Sequence, residues 1–146
     1  MCIRDRNKTC PGFSQTYILN LDWKAGAARN YFRPFTAGSV GVVSFVTPAT
    51  PSVQRSRIDF AEAASPPTFR LGTISETPCD FSNYLAGKSG TTVSMSMNVS
   101  PSTFPFSTEL KPNTRYYINI VNRRSTIGSA DTCDTSICDL LVDFYP

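Results

Sequence analysis

The chain has 146 residues, with 14 Lys plus Arg against 11 Asp plus Glu, a formal net charge of +3, and no histidine. That length suits one domain with an independent core, and so small a charge, with basic residues scattered apart from Arg123-Arg124, leaves no electrostatic footprint for nucleic acid. No apolar run approaches the roughly 18 residues of a membrane helix, and the lack of histidine removes Ser-His and Cys-His nucleophile pairs.

Residues 1–6, Met1-Cys2-Ile3-Arg4-Asp5-Arg6, read as the translation of a transposase mosaic-end sequencing adapter, a scar to be set aside before motifs are sought. On that reading the native sequence begins no earlier than Asn7, as part of a longer chain. The balance becomes 12 basic to 10 acidic residues, net +2, and four cysteines remain: Cys10, Cys79, Cys133 and Cys138. With Ser and Thr at about a fifth of the residues, plus 11 Pro and 8 Gly, the chain favours strands and turns over helices. Four cysteines in such a chain point to an oxidising compartment: extracellular, periplasmic or cell-surface. Buried free thiols in a cytosolic protein are the alternative.

In chain order, residues 17–23 alternate Leu19, Leu21 and Trp23 against Asn20 and Asp22, the period of a half-buried strand. Residues 24–29 read as a turn, and 40–47 as a more fully apolar strand. The Thr47-Pro48-Ala49-Thr50-Pro51-Ser52 stretch reads as a long loop, since each residue before proline is pushed toward extended backbone. Further strands are expected at 57–61, 68–75, 91–100, 115–122 and 139–145. The clearest is 91–100, where Val93, Met95, Met97 and Val99 share one face and Ser94, Ser96, Asn98 and Ser100 the other. A slip of one residue would move every apolar group into water. About seven strands and no helix predict an all-β, antiparallel β-sandwich with Val93, Met95, Met97, Ile118 and Ile120 in one core. Residues 7–37 would supply an N-terminal strand and connecting region, and 38–146 the sandwich domain.

Leu110-Lys111-Pro112-Asn113-Thr114-Arg115-Tyr116-Tyr117-Ile118-Asn119-Ile120 resembles the L-x-P-x-T-x-Y-x-V-x-V pattern at the E–F corner of fibronectin type III domains. Leu19-Asn20-Leu21-Asp22-Trp23 is similar to the Trp-bearing B strand of that family. The resemblance implies an immunoglobulin-like sandwich with a structural corner of Leu110, Pro112 and Tyr116. Tyr116 would bury its ring and bond backward to the corner's backbone. Tyr117 and Asn119 would point outward.

Cys133 and Cys138, separated by four residues before the final strand, are expected to form a disulfide, closing a ring worth about 2 kcal/mol. Without histidine a zinc site lacks its usual ligands. Cys10 and Cys79 form the leftover pair, and the natural partner of Cys10 could lie in a missing segment. The final strand is expected to pair with the 115–122 strand. Asp131, Asp134, Asp139 and Asp143 could offer oxygen ligands to calcium, though without EF-hand spacing they read as solvated loop acids. Gly87-Lys88-Ser89 lacks the first glycine of a phosphate loop, since position 82 is Ser, and reads as a hairpin turn. Carboxylate-pair hydrolysis stays open through Glu62, Glu76, Glu109 and the aspartates. If a ligand surface exists, Tyr84, Arg123 and Arg124 are its candidates, with ordinary surface residues as the alternative.

These readings lead to a non-catalytic extracellular or cell-surface module for display, adhesion or ligand binding, with no cofactor and no metal. Its partners would be other modules of the same protein, a surface glycan or a protein. A virion or appendage structural protein and a fragment of a carbohydrate-active enzyme are the alternatives.

Overall fold

A computed structural model describes residues 10–36, 38–51, 55–61, 70–99, 107–122 and 139–146. Their β-branched and aromatic runs form ten strands: β1 (Gln15–Asn20), β2 (Ala28–Phe32), β3 (Ser39–Val46), β4 (Ser56–Ala61), β5 (Arg70–Ser75), β6 (Ala86–Gly90), β7 (Val93–Val99), β8 (Thr108–Leu110), β9 (Arg115–Asn122) and β10 (Leu140–Tyr145). They make two five-stranded sheets, in the orders β1-β3-β9-β5-β6 and β2-β10-β4-β7-β8. Strands from both sides of residue 38 share these sheets. The only helical element among the described residues is a 3-10 turn at Trp23–Ala25. The Asp22 carboxylate caps it by accepting the Lys24 N–H at 3.0 Å.

The expected all-β sandwich is therefore what the chain forms, with ten strands rather than about seven. Both sheets are mixed, because β1 runs parallel to β3 and β8 parallel to β7. The alternation in β7 holds from Val93 to Met97, and Val93, Met95 and Met97 join Ile118 and Ile120 of β9 in one core; Asn98, expected on the wet face, is buried as well. Phe32, Phe45, Ile58, Phe60, Ile74, Val142 and Phe144 fill the same interior. Trp23 closes it from the side, with ring centroids 5.3 Å from Phe45 and 5.4 Å from Phe144. Gly41 on β3 is needed for this packing. A Cβ there would stand 2.6 Å from Phe32 and 2.8 Å from Ile120, so any larger residue would push the sheets apart.

Several elements depart from the expectations: the strand expected over 17–23 ends at Asn20, with Trp23 opening the 3-10 turn, and β8 is an additional short strand. β6 occupies the stretch read as a hairpin turn; its glycines lack side chains to signal a strand, but β5 pairs with it from Arg70↔Gly90 to Ile74↔Ala86. β2 starts inside the turn expected at 24–29 and runs on through residues 30–32, where no strand is expected. The final strand, expected beside β9, pairs instead with β2 and β4 in the other sheet. Both sides of β9 are already occupied, by β3 and by β5, so β10 completes the opposite layer.

At the corner before β9, Leu110 is fully buried and Tyr116 nearly so, while Pro112 is half-buried. The Lys111 N–H donates to the Tyr116 hydroxyl at 2.9 Å. Asn113 has a positive φ of 52°, a conformation Asn tolerates better than most residues. Thr47 ties the corner to the end of β3: its hydroxyl donates to the Lys111 carbonyl at 2.6 Å and accepts the Thr114 N–H at 2.9 Å.

Candidate functional site

The outer face of the first sheet is covered. Cys10 and Cys79 are bonded to each other across 69 residues of sequence, which draws the segment before β1 and the loop after β5 over that face. Beneath them Cys10, Val40 and Val42 form a second buried cluster, with Phe13, Phe81, Tyr117 and Val121 packed around it. Tyr117 points out of the sheet as expected, but it is half-buried under this cover rather than exposed.

Asn119 also points outward and is fully buried. Its carbonyl oxygen accepts the Cys79 N–H at 2.8 Å, and its amide donates to the Ser75 and Thr73 hydroxyls at 2.9 and 3.1 Å. This hub holds Cys79 at a positive φ of 64°. Next to it, the Asp80 carboxylate accepts the backbone N–H groups of Asn83 and Ser82, which hold it below the usual carboxylate range.

Among the described residues, no segment covers the outer face of the second sheet. Its rows follow from strand register. Tyr31 of β2 stands beside Leu141 of β10 and then Ala61 of β4; Arg29 beside Asp143, Asp59 and Ser94; Tyr145 beside Arg57 and Ser96. Arg29 grips Asp143 through two bonds, at 2.7 and 3.0 Å. Arg57 pairs with Asp59 at 2.9 Å, and the Ser94 hydroxyl donates to the same carboxylate at 2.5 Å. Asp59 and Asp143 are direct cross-strand neighbours, an arrangement that repels unless each charge is balanced. Each has its own arginine. The hydrogen bond to Asp143, and then its charge, raise the Arg29 guanidinium above its ordinary range; the Tyr31 and Tyr145 phenols add to this.

Two tyrosines flank those ion pairs. Tyr31 is 50% exposed, with the Arg33 guanidinium 5.7 Å from its ring centre. Tyr145 is 39% exposed, with the Arg57 guanidinium at 4.7 Å. Arg33 in turn donates to the fully buried Asp139 carboxylate at 2.5 Å. Guanidinium groups at these distances attract the ring faces electrostatically.

Of the sequence candidates, Tyr84 is exposed but lies in the loop before β6 and packs back against that strand. A Cβ on Gly87 would stand 2.7 Å from the Tyr84 ring, so the ring covers a glycine of the β6 edge. It does not join the Tyr31 and Tyr145 face. Arg123, Arg124, Cys133 and Cys138 lie outside the described residues, as do Asp131 and Asp134. Among the described residues no group of three or more Cys, Asp or Glu is placed to hold a metal ion, and no helix is long and apolar enough to cross a membrane.

By sequence the chain matches no protein-family model and no curated protein. By fold it is similar to the pre-peptidase C-terminal domain of collagenase from Bacillus anthracis, with a TM-score of 0.49 and 12% identity over 89% of this chain and 94% of that one. It is also similar to PliG of Aeromonas hydrophila, a periplasmic inhibitor of g-type lysozyme (TM-score 0.45, 10% identity, 89% and 97% covered). A third likeness is to CorA, a surface-associated copper-binding protein of Methylomicrobium album BG8 (TM-score 0.42, 7% identity, 90% and 100% covered). These are likenesses among small all-β domains.

Proposed function

We propose that this chain is a non-catalytic extracellular or cell-surface module that binds its ligand on the open outer face of β2, β10 and β4. The carrying observation is the asymmetry between the two outer faces. One lies under a disulfide-tied cover, while the other presents Tyr31, Tyr145 and rows of paired charges held in place by strand register. Rigid sheet positions make a more precise binding surface than loops do. The Cys10–Cys79 bond supports an oxidising compartment. The corner of Leu110, Pro112 and Tyr116 supports counting the chain with fibronectin-like modules, in a ten-stranded form.

Hydrolysis by a carboxylate pair fits less well. Asp59 and Asp143 are neighbours, yet each carboxylate is already occupied by an arginine, which leaves neither free to reach a scissile glycosidic bond.

Retention on the intact surface of the source cells tests the binding reading. Fluorescently labelled protein should be retained, and a Tyr31→Ala/Arg57→Ala/Tyr145→Ala variant should lose most of that retention while Tyr84→Ala keeps it. Equal retention of all three proteins would reject the open face as the binding surface. Concentration-dependent assembly in sedimentation, lost in the triple variant, would favour a structural subunit of a virion or appendage.

A further inference from the structure

We infer that the ligand of the open face is a neutral, extended polysaccharide lying across the rows from Tyr31 to Tyr145. The inference rests on the binding-module reading above and adds the chemistry of the ligand.

Geometry comes first. Tyr31 and Tyr145 lie two rows and one strand apart, which places their Cα atoms roughly 14 Å from each other at normal strand spacing. That is the reach of several linked sugar rings and too far for one. The C–H groups on a sugar face carry partial positive charge and stack on the negative face of an aromatic ring. Two separate exposed rings therefore make two stacking platforms for one chain.

Between the platforms lie Arg29–Asp143 and Arg57–Asp59. Each guanidinium already satisfies one carboxylate, and both arginines remain at least half-exposed or nearly so, at 60% and 49%. The remaining N–H donors and carboxylate lone pairs match neighbouring hydroxyls, which donate and accept. Because the charges come in pairs, the face has little net field, and a polyanion would gain little attraction from it.

A protein partner fits the face less well. The centre of a protein interface is a desolvated, charge-poor apolar cluster, whereas the middle of this face is made of ion pairs, with its two tyrosines set apart at either side and half-buried Leu141 and Ala61 in one flanking row. Covering those pairs with protein would strip their water at a cost that seldom returns as affinity. A glycan leaves them hydrated and bonded.

The test is affinity electrophoresis of the whole chain in gels containing soluble neutral polysaccharides (hydroxyethyl cellulose, xylan, mannan, dextran or laminarin), with polygalacturonate as the acidic probe. At least one neutral polymer should retard migration, with little change between low and high salt. Tyr31→Ala and Tyr145→Ala should each weaken that retardation at least tenfold, and Tyr84→Ala should leave it unchanged. Three outcomes overturn the inference: no retardation by any neutral polymer, retardation that survives both tyrosine substitutions, or salt-sensitive retardation by polygalacturonate alone. If the face variants still lose cell-surface retention in such a case, the module reading stands and only the ligand class falls. If that retention is also unchanged, both fall.

Discussion

The two sheets meet through similar apolar inner faces, but their outer faces are finished in different ways. On the β1-β3-β9-β5-β6 sheet, valines at positions 40 and 42 point away from the main core and would be wet without the Cys10 and Cys79 segments above them. Asn119, on that same outer side, satisfies the backbone of the covering loop. On the other sheet the outward positions are Arg29, Tyr31, Asp143, Tyr145, Arg57 and Asp59, which need no cover because each charge has a cross-strand or same-strand partner. Outward-facing valines need a lid, and outward-facing ion pairs do not. The difference therefore separates a face that depends on its cover from one that the described residues leave uncovered.

The largest effect should follow from removing the lid's cross-link. A disulfide closing a loop of about 70 residues constrains the unfolded chain by about 4 kcal/mol in the loop-entropy model. Cys10→Ser/Cys79→Ser, or reduction, should lower stability by an amount of that order in urea unfolding. Hydrogen exchange should then rise around Val40, Val42 and Tyr117 before it rises in β2, β10 and β4. Equal loss of protection on both sheets would remove the distinction between the faces.

Next comes the hub under the lid. Asn119→Leu leaves the Cys79 N–H buried without its acceptor. The Thr73 and Ser75 hydroxyls keep theirs, donating to the carbonyls of Asp80 and Thr77 at 2.7 and 2.6 Å. One orphaned donor plus the lost side-chain bonds should cost about 2–3 kcal/mol, read as a shift of the urea midpoint. A neutral substitution would mean that the covering loop does not depend on this residue.

The legible parts of the molecule are those where a period-2 pattern meets a clear burial contrast. β7 shows its register in Val93, Met95 and Met97, and the β9 corner shows itself in Leu110, Pro112 and Tyr116. β6 was illegible because Ala86-Gly87-Lys88-Ser89-Gly90 has no β-forming side chains, and its place comes from backbone pairing with β5. Asn119 points outward as expected, yet it is buried, because the loop after β5, held down at Cys79, folds over it. The candidate face could not be read at all. Arg29 and Asp143 are 114 residues apart and meet only because β10 pairs with β2, a long-range pairing that no local pattern signals.

The smallest effect compares Tyr116 with Tyr117, adjacent residues on opposite sides of one strand. Tyr116 faces the main core, and its hydroxyl accepts the Lys111 N–H. Tyr116→Phe keeps the ring but leaves that amide without its acceptor, so stability should fall by about 1 kcal/mol. Tyr117 packs its ring beneath the disulfide-tied cover. Tyr117→Phe preserves this packing and should change stability by less than about 0.5 kcal/mol. The ring itself matters on both sides, so Tyr117→Ala should cost more than Tyr117→Phe through the lost contacts under the lid. In the Cys10→Ser/Cys79→Ser background that extra cost of Tyr117→Ala should shrink, because the cover is no longer held down, while the cost of Tyr116→Phe should stay the same. If the cost of Tyr117→Ala were unchanged without the disulfide, the ring would be packed by the sheet alone and the lid would not be what closes that face.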